Sequence, residues 1–134
     1  HGKNSGGKYP VSFSNTPESN KSSIGFYVTA ETYYGENGLS LKLDGKDFPF
    51  NTNVRKRHIV IHGSDYVSQE EIDKQGFIGQ SEGCPALPWN NYKEIINTIQ
   101  GGHCLFIYSS DPLYQNYSAF MNFKGALSYY ISSL

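Results

Sequence analysis

IGFYVTAETYYGENGLSLKL, residues 24–43, decides the fold. Ile24 to Tyr34 is dense in aromatic and β-branched residues, which fit a pleated, half-buried surface. Gly35-Glu36-Asn37-Gly38 is a turn signal. Leu39, Leu41 and Leu43 then alternate with Ser40, Lys42 and Asp44, the period of a strand with one buried face. Together the two runs predict a β-hairpin.

Upstream of this hairpin, residues 1–23 are Gly, Ser, Asn, Lys and Pro without periodicity and read as a long irregular segment. Downstream, residues 44–57 form a loop with Pro49 and a basic knot at Arg55-Lys56-Arg57. His58 to His62 is a short apolar strand ended by Gly63. Ser68, with Glu71 three residues on, reads as a capping box opening a short helix that Gly76 stops. Gly79 to Pro88 is a Gly/Pro-punctuated loop. Asn90 or Asn91 caps a second helix through Ile99, and Gly101-Gly102 ends it. Cys104 to Tyr108 reads as a further buried strand. The tail after Pro112 is ambiguous between helix and strand. The order is mostly β with two short helices, an α+β arrangement around one sheet system.

The chain has 134 residues, within the span of one domain. With 11 Lys and Arg against 12 Asp and Glu, it lacks the basic field that a nucleic-acid binder carries. No apolar run is long enough to span a bilayer. The opening residues do not read as a signal peptide, and the start at His1-Gly2 is expected to be that of a mature or trimmed product. Two cysteines, Cys84 and Cys104, are too few for a disulfide scaffold.

The chemistry gathers at His62-Gly63, taken as the end of a strand, and at Ser81-Glu82-Gly83-Cys84-Pro85 in a loop. A thiol nucleophile needs a nearby base and positioned donors for the developing oxyanion. A histidine at a strand end is rigidly aimed. A cysteine preceded by glycine lets the backbone approach a substrate closely, so the Gly83 and Cys84 N–H groups are candidate oxyanion donors. A thiolate–imidazolium pair of Cys84 and His62 would lower the thiol pKa. The alternative for Cys84 is a packed small hydrophobe. Cys104 sits in an apolar run and reads as core. A Cys84–Cys104 disulfide would remove the nucleophile and ranks below the free thiol. His58 and His62, on one face of a strand, lie about 13 Å apart and cannot share a metal ion, whose bonds to nitrogen are about 2 Å.

At these residues the sequence resembles the L,D-transpeptidase catalytic domain family, and is most similar to its murein branch, secreted in Gram-negative bacteria. The stretches that carry the likeness are Ser22–Leu43, Arg57–Val67 (RHIVIHGSDYV), Gly79–Pro88 (GQSEGCPALP) and Gly102–Tyr108 (GHCLFIY). The resemblance implies a β-rich sandwich around the cysteine loop, residues 1–134 being one catalytic domain. The match is strongest over 1–112, with 113–134 as a C-terminal extension. It implies a cysteine acyltransferase on peptidoglycan stem peptides: Cys84 attacks, a thioester forms, and an amine resolves it. Resolution by water, L,D-carboxypeptidation, or a non-catalytic murein-binding module are the alternatives. Carried over, Cys84 is the nucleophile, His62 the base, and Ser81 orients the histidine through its carbonyl or hydroxyl. No cofactor, metal or nucleic acid is implied; the expectation is an extracytoplasmic monomer.

The sequence departs from the family pattern at two places. Glu82 stands where the motif has a second histidine, and Pro85-Ala86 follows the cysteine, so the carboxylate-binding arginine of the motif is missing. A carboxylate at position 82 opposes thiolate formation if it points inward. Arg55, Arg57, Tyr33 and Trp89 are the candidates for substrate binding. Family members also carry further strands before the position of His1, so the expectation is either a trimmed sandwich lacking its N-terminal strands or one whose sheets are completed by the entry segment and residues 113–134.

Overall fold

The computed structural model describes residues 1–134, apart from the side chains of Phe123 and Tyr129. The elements in chain order are β1 (Gly25–Gly35), β2 (Gly38–Gly45), β3 (Val60–Ser64), α1 (Gln69–Gln75), β4 (Ala86–Pro88), α2 (Tyr92–Ile99), β5 (Cys104–Ile107), α3 (Pro112–Tyr117) and α4 (Phe123–Ser132). The strands form one five-stranded mixed sheet in the order β4-β3-β2-β1-β5. Only β3 and β4 run parallel, joined by the crossover that contains α1. The mostly β, α+β reading holds.

The predicted hairpin is the centre of the sheet. β1 and β2 pair antiparallel from Tyr27↔Gly45 to Gly35↔Gly38, with a bulge between Thr29 and Thr32. The leucine alternation does what its period requires. Leu39, Leu41 and Leu43 all face the core, where they meet Tyr27, Ile59, Ile61 and, from α2, Tyr92 and Ile96. Tyr92 and Ile96 are one helical turn apart, so a single stripe of α2 covers β2 and β3. Gly63 allows the close approach: a Cβ there would overlap the Tyr92 ring.

α1 begins and ends as its sequence predicts. The Ser68 hydroxyl accepts from Glu71 N–H at 3.3 Å, and Gly76 closes the helix in the left-handed region at φ 83°. The tail is helical. Its first helix is latched to the β2–β3 loop by Asp47, which is fully buried and accepts from Tyr114 Oη and Ser118 Oγ, both at 2.8 Å.

Three local readings change. β3 starts at Val60, so His62 lies mid-strand rather than at its end. His58 precedes the strand in a left-handed turn at φ 55°. Cys104 is exposed, not core. β5 is an edge strand in which Leu105 and Ile107 pack towards the core while Cys104 and Phe106 alternate outwards; Phe106 stacks on Phe26 with centroids 4.0 Å apart.

Candidate active site

The β3–β4 ladder brings the two motifs side by side. His62 pairs with Ala86 in parallel register, and His62 N–H donates to Pro85 C=O at 3.3 Å. Cys84 therefore stands two residues before Ala86, the partner of His62. The sequence reads β4 as loop because it is three residues long, preceded by Pro85 and ended by Pro88. Its pairing is the reason the cysteine loop lies against the histidine strand.

His62 is buried, and its Nδ1 lies 3.0 Å from Gly63 C=O. A carbonyl only accepts, so Nδ1 carries the proton there and Nε2 is left as the basic nitrogen. The group orienting the imidazole is thus Gly63 rather than Ser81. Ser81 instead shapes the cysteine loop. Its hydroxyl donates to Cys84 C=O at 2.7 Å and accepts from Gly83 N–H at 3.1 Å, and its own carbonyl accepts from Lys3 N–H. Of the two candidate oxyanion donors, Gly83 N–H is thereby engaged. Gly83 has φ 120°, and a Cβ on it would lie 2.7 Å from Lys21 C=O, so glycine is required.

The Cys84 thiol is packed on the edge of the core. It accepts from Val60 N–H at 3.4 Å and donates to His58 C=O at 3.7 Å. No hydrogen bond joins it to His62 among the described residues. Burial pushes its pKa up, while the Val60 N–H and the Arg57 charge pull the other way and Glu82 adds to the rise. A donated S–H and a raised pKa both describe a neutral resting thiol, in place of the lowered pKa of a thiolate–imidazolium pair. Glu82 points outwards: its side chain is 77% exposed and paired with Lys3 at 2.8 Å, so its effect on the thiol is screened. Cys84 and Cys104 are both free.

The substrate-binding candidates separate. Tyr33 pairs with Ser40, and Ser40 with His62. Directly opposed residues share a sheet face, so Tyr33 and His62 lie on the side opposite the leucines. Trp89, just after β4, is exposed, stacks on Tyr92 with centroids 4.9 Å apart, and lines a cavity of about 610 Å³ with Pro88, Ile72 and Asp65. Arg55 is engaged at the surface by Glu31 and Asp44; its hydrogen bonds hold the Glu31 carboxyl well below the usual carboxylate range and lower that of Asp44. Arg57 is turned towards the N-terminal segment, where both terminal nitrogens are occupied. Neither arginine offers an unoccupied fork for a substrate carboxylate. Sequence reading missed Val60 N–H and His58 C=O as the thiol's partners, because backbone groups leave no residue-type signal.

A family model for the L,D-transpeptidase catalytic domain matches residues 1–108. The chain belongs to this family. No curated protein and no solved structure matches it. Peptidoglycan chemistry of the L,D-transpeptidase type is the general function that membership carries. The match takes in the whole irregular N-terminal segment of this L,D-transpeptidase domain, every strand and both halves of the site. It stops before α3 and α4. Among the described residues no helix is long and apolar enough to cross a membrane, and no cluster of His, Cys, Asp and Glu could hold a metal ion.

Proposed function

We propose that residues 1–134 act as one cysteine acyltransferase unit on peptidoglycan stem peptides, with Cys84 as nucleophile and His62 as base. The observation that carries this is the parallel β3–β4 pairing, which seats the Gly83-Cys84 loop beside a histidine whose Nδ1 is engaged and whose Nε2 is the basic nitrogen. For reaction, the thiol leaves Val60 and His58 and turns to His62, which takes its proton. Sulfur attacks the carbonyl carbon of the amide after the third stem residue. The developing oxyanion is met by Cys84 N–H, and Gly83 N–H joins only by leaving Ser81 Oγ. The C–N bond breaks, the terminal D-Ala departs with the proton from His62, and a thioester remains. An incoming amine forms the new amide and returns a proton to the departing sulfur; water in its place gives the free acid.

Such a substrate sets the site of action outside the cytoplasm. Intact mass of the chain after incubation with a stem tetrapeptide, and separately with a carbapenem, is the test. An adduct that maps to Cys84 and is missing in Cys84→Ala supports the reading. An unmodified chain, or an adduct elsewhere, overturns it.

A further inference from the structure

Arg57 is the point at which the N-terminal segment, the cysteine loop and the thiol's own partners converge. Its Nη1 donates to Ser14 C=O at 2.8 Å and Ser23 Oγ at 2.6 Å. Its Nη2 donates to Ser19 Oγ at 3.1 Å and Lys21 C=O at 2.9 Å. All four acceptors belong to residues 14–23. The Lys21 carbonyl that Arg57 holds is the atom that backs Gly83. Residues 1–3, ahead of that segment, grip the loop at two further residues: Ser81 N–H donates to His1 C=O at 3.0 Å, and Lys3 pairs with Glu82. On its other side Arg57 precedes His58, whose left-handed backbone turns its carbonyl to the Cys84 sulfur.

The Arg57 Nε is buried with no partner, and burial pulls the arginine's pKa down, so the charge is held at a cost. We propose that Arg57 is a positioning residue: it clamps segment 14–23 behind Gly83 and so fixes the Cys84 loop and the place of its thiol. The clamp rests on Cys84 being the reacting group only for its consequence in catalysis. Its charge has a second effect, favouring the thiolate against burial and against Glu82. The Tyr27 and Tyr66 phenols are the other titratable groups within electrostatic reach of the thiol, and the His62 imidazole lies on the neighbouring strand.

The test is amide hydrogen exchange and pH-resolved iodoacetamide labelling on the full chain, comparing wild type with Arg57→Met and Arg57→Lys. Residues 78–88 should exchange about tenfold faster in both variants, because a lysine cannot reproduce the forked donation, while α2 keeps its protection. The labelling midpoint of Cys84 should rise in Arg57→Met and return towards wild type in Arg57→Lys, with exposed Cys104 as the unchanged internal control. Ser19→Ala/Ser23→Ala removes two acceptors without touching the arginine and should loosen residues 78–88 in the same direction, which decides the matter if Arg57→Met fails to fold. Opening confined to residues 14–23, with residues 78–88 and the Cys84 midpoint unmoved, overturns the proposal. These readouts need no turnover, so they stand apart from the acylation test of the proposed function.

Discussion

At the scale of single residues, the two cysteines exchange the characters their neighbours suggest. Cys84, in a Gly/Pro loop, is packed on the core edge, and Cys104, in an apolar run, is exposed. Cys104→Ser should therefore change stability by less than about 0.5 kcal/mol and leave acyl transfer intact, measured by thermal melting and turnover. A bulky maleimide should label Cys104 well before Cys84 at neutral pH. Cys84→Ala should abolish acyl transfer while the melting temperature stays within a few degrees, since only one half-buried sulfur is lost. Burial raises the thiol pKa, so the folded chain binds this proton more tightly than the unfolded one. The stability this contributes is present below the ordinary thiol pKa near 8.5 and is lost as pH rises through the folded value. Labelling of Cys84 by iodoacetamide should accordingly have its midpoint above that of a free thiol. A midpoint below it would mean that the resting pair is ionised after all.

Elements come out as their local patterns dictate wherever the pattern is local. The hairpin turn, the Ser68 cap and the Gly76 stop are each contained within a few residues, and each forms as read. The β3–α2 contact is different in kind. Gly63 is half of the His-Gly motif, yet its lack of a side chain serves the Tyr92 ring lying against β3. Gly63→Ala should cost about 1–3 kcal/mol, read from denaturant unfolding, and should shift His62 with the strand that carries it. β4 was illegible because three half-buried residues between prolines carry no periodicity; only the partner strand makes them a strand.

For the whole molecule, the N-terminal segment and α3 are built into the domain. Residues 1–23 hold Ser81, Glu82 and Gly83 from one side, and α3 is held by Asp47 from another. Asp47 is fully buried and its carboxylate oxygens meet two hydroxyls, so Asp47→Ala would leave Tyr114 and Ser118 unsatisfied. We expect a loss of about 2–4 kcal/mol in unfolding free energy, with α3 the first part to lose amide protection. Tyr114→Phe, which removes one donor to a carboxylate, should cost about 1.5–3 kcal/mol.

The amino-acid order alone determined the central hairpin, both caps of α1, the second helix and the His-Gly and Ser-x-Gly-Cys motifs, because each depends on neighbours a few positions away. It also carried the family, through those motifs. Which groups meet was decided by tertiary structure. The parallel register puts His62 beside Ala86, the Gly63 carbonyl accepts the imidazole hydrogen bond expected to involve Ser81, and Lys3 turns Glu82 outwards. Edge position exposes Cys104, and the Arg57 fork closes on residues 14–23 instead of on a substrate carboxylate. Burial and charge partners are properties of groups distant in sequence, and no spacing rule records them.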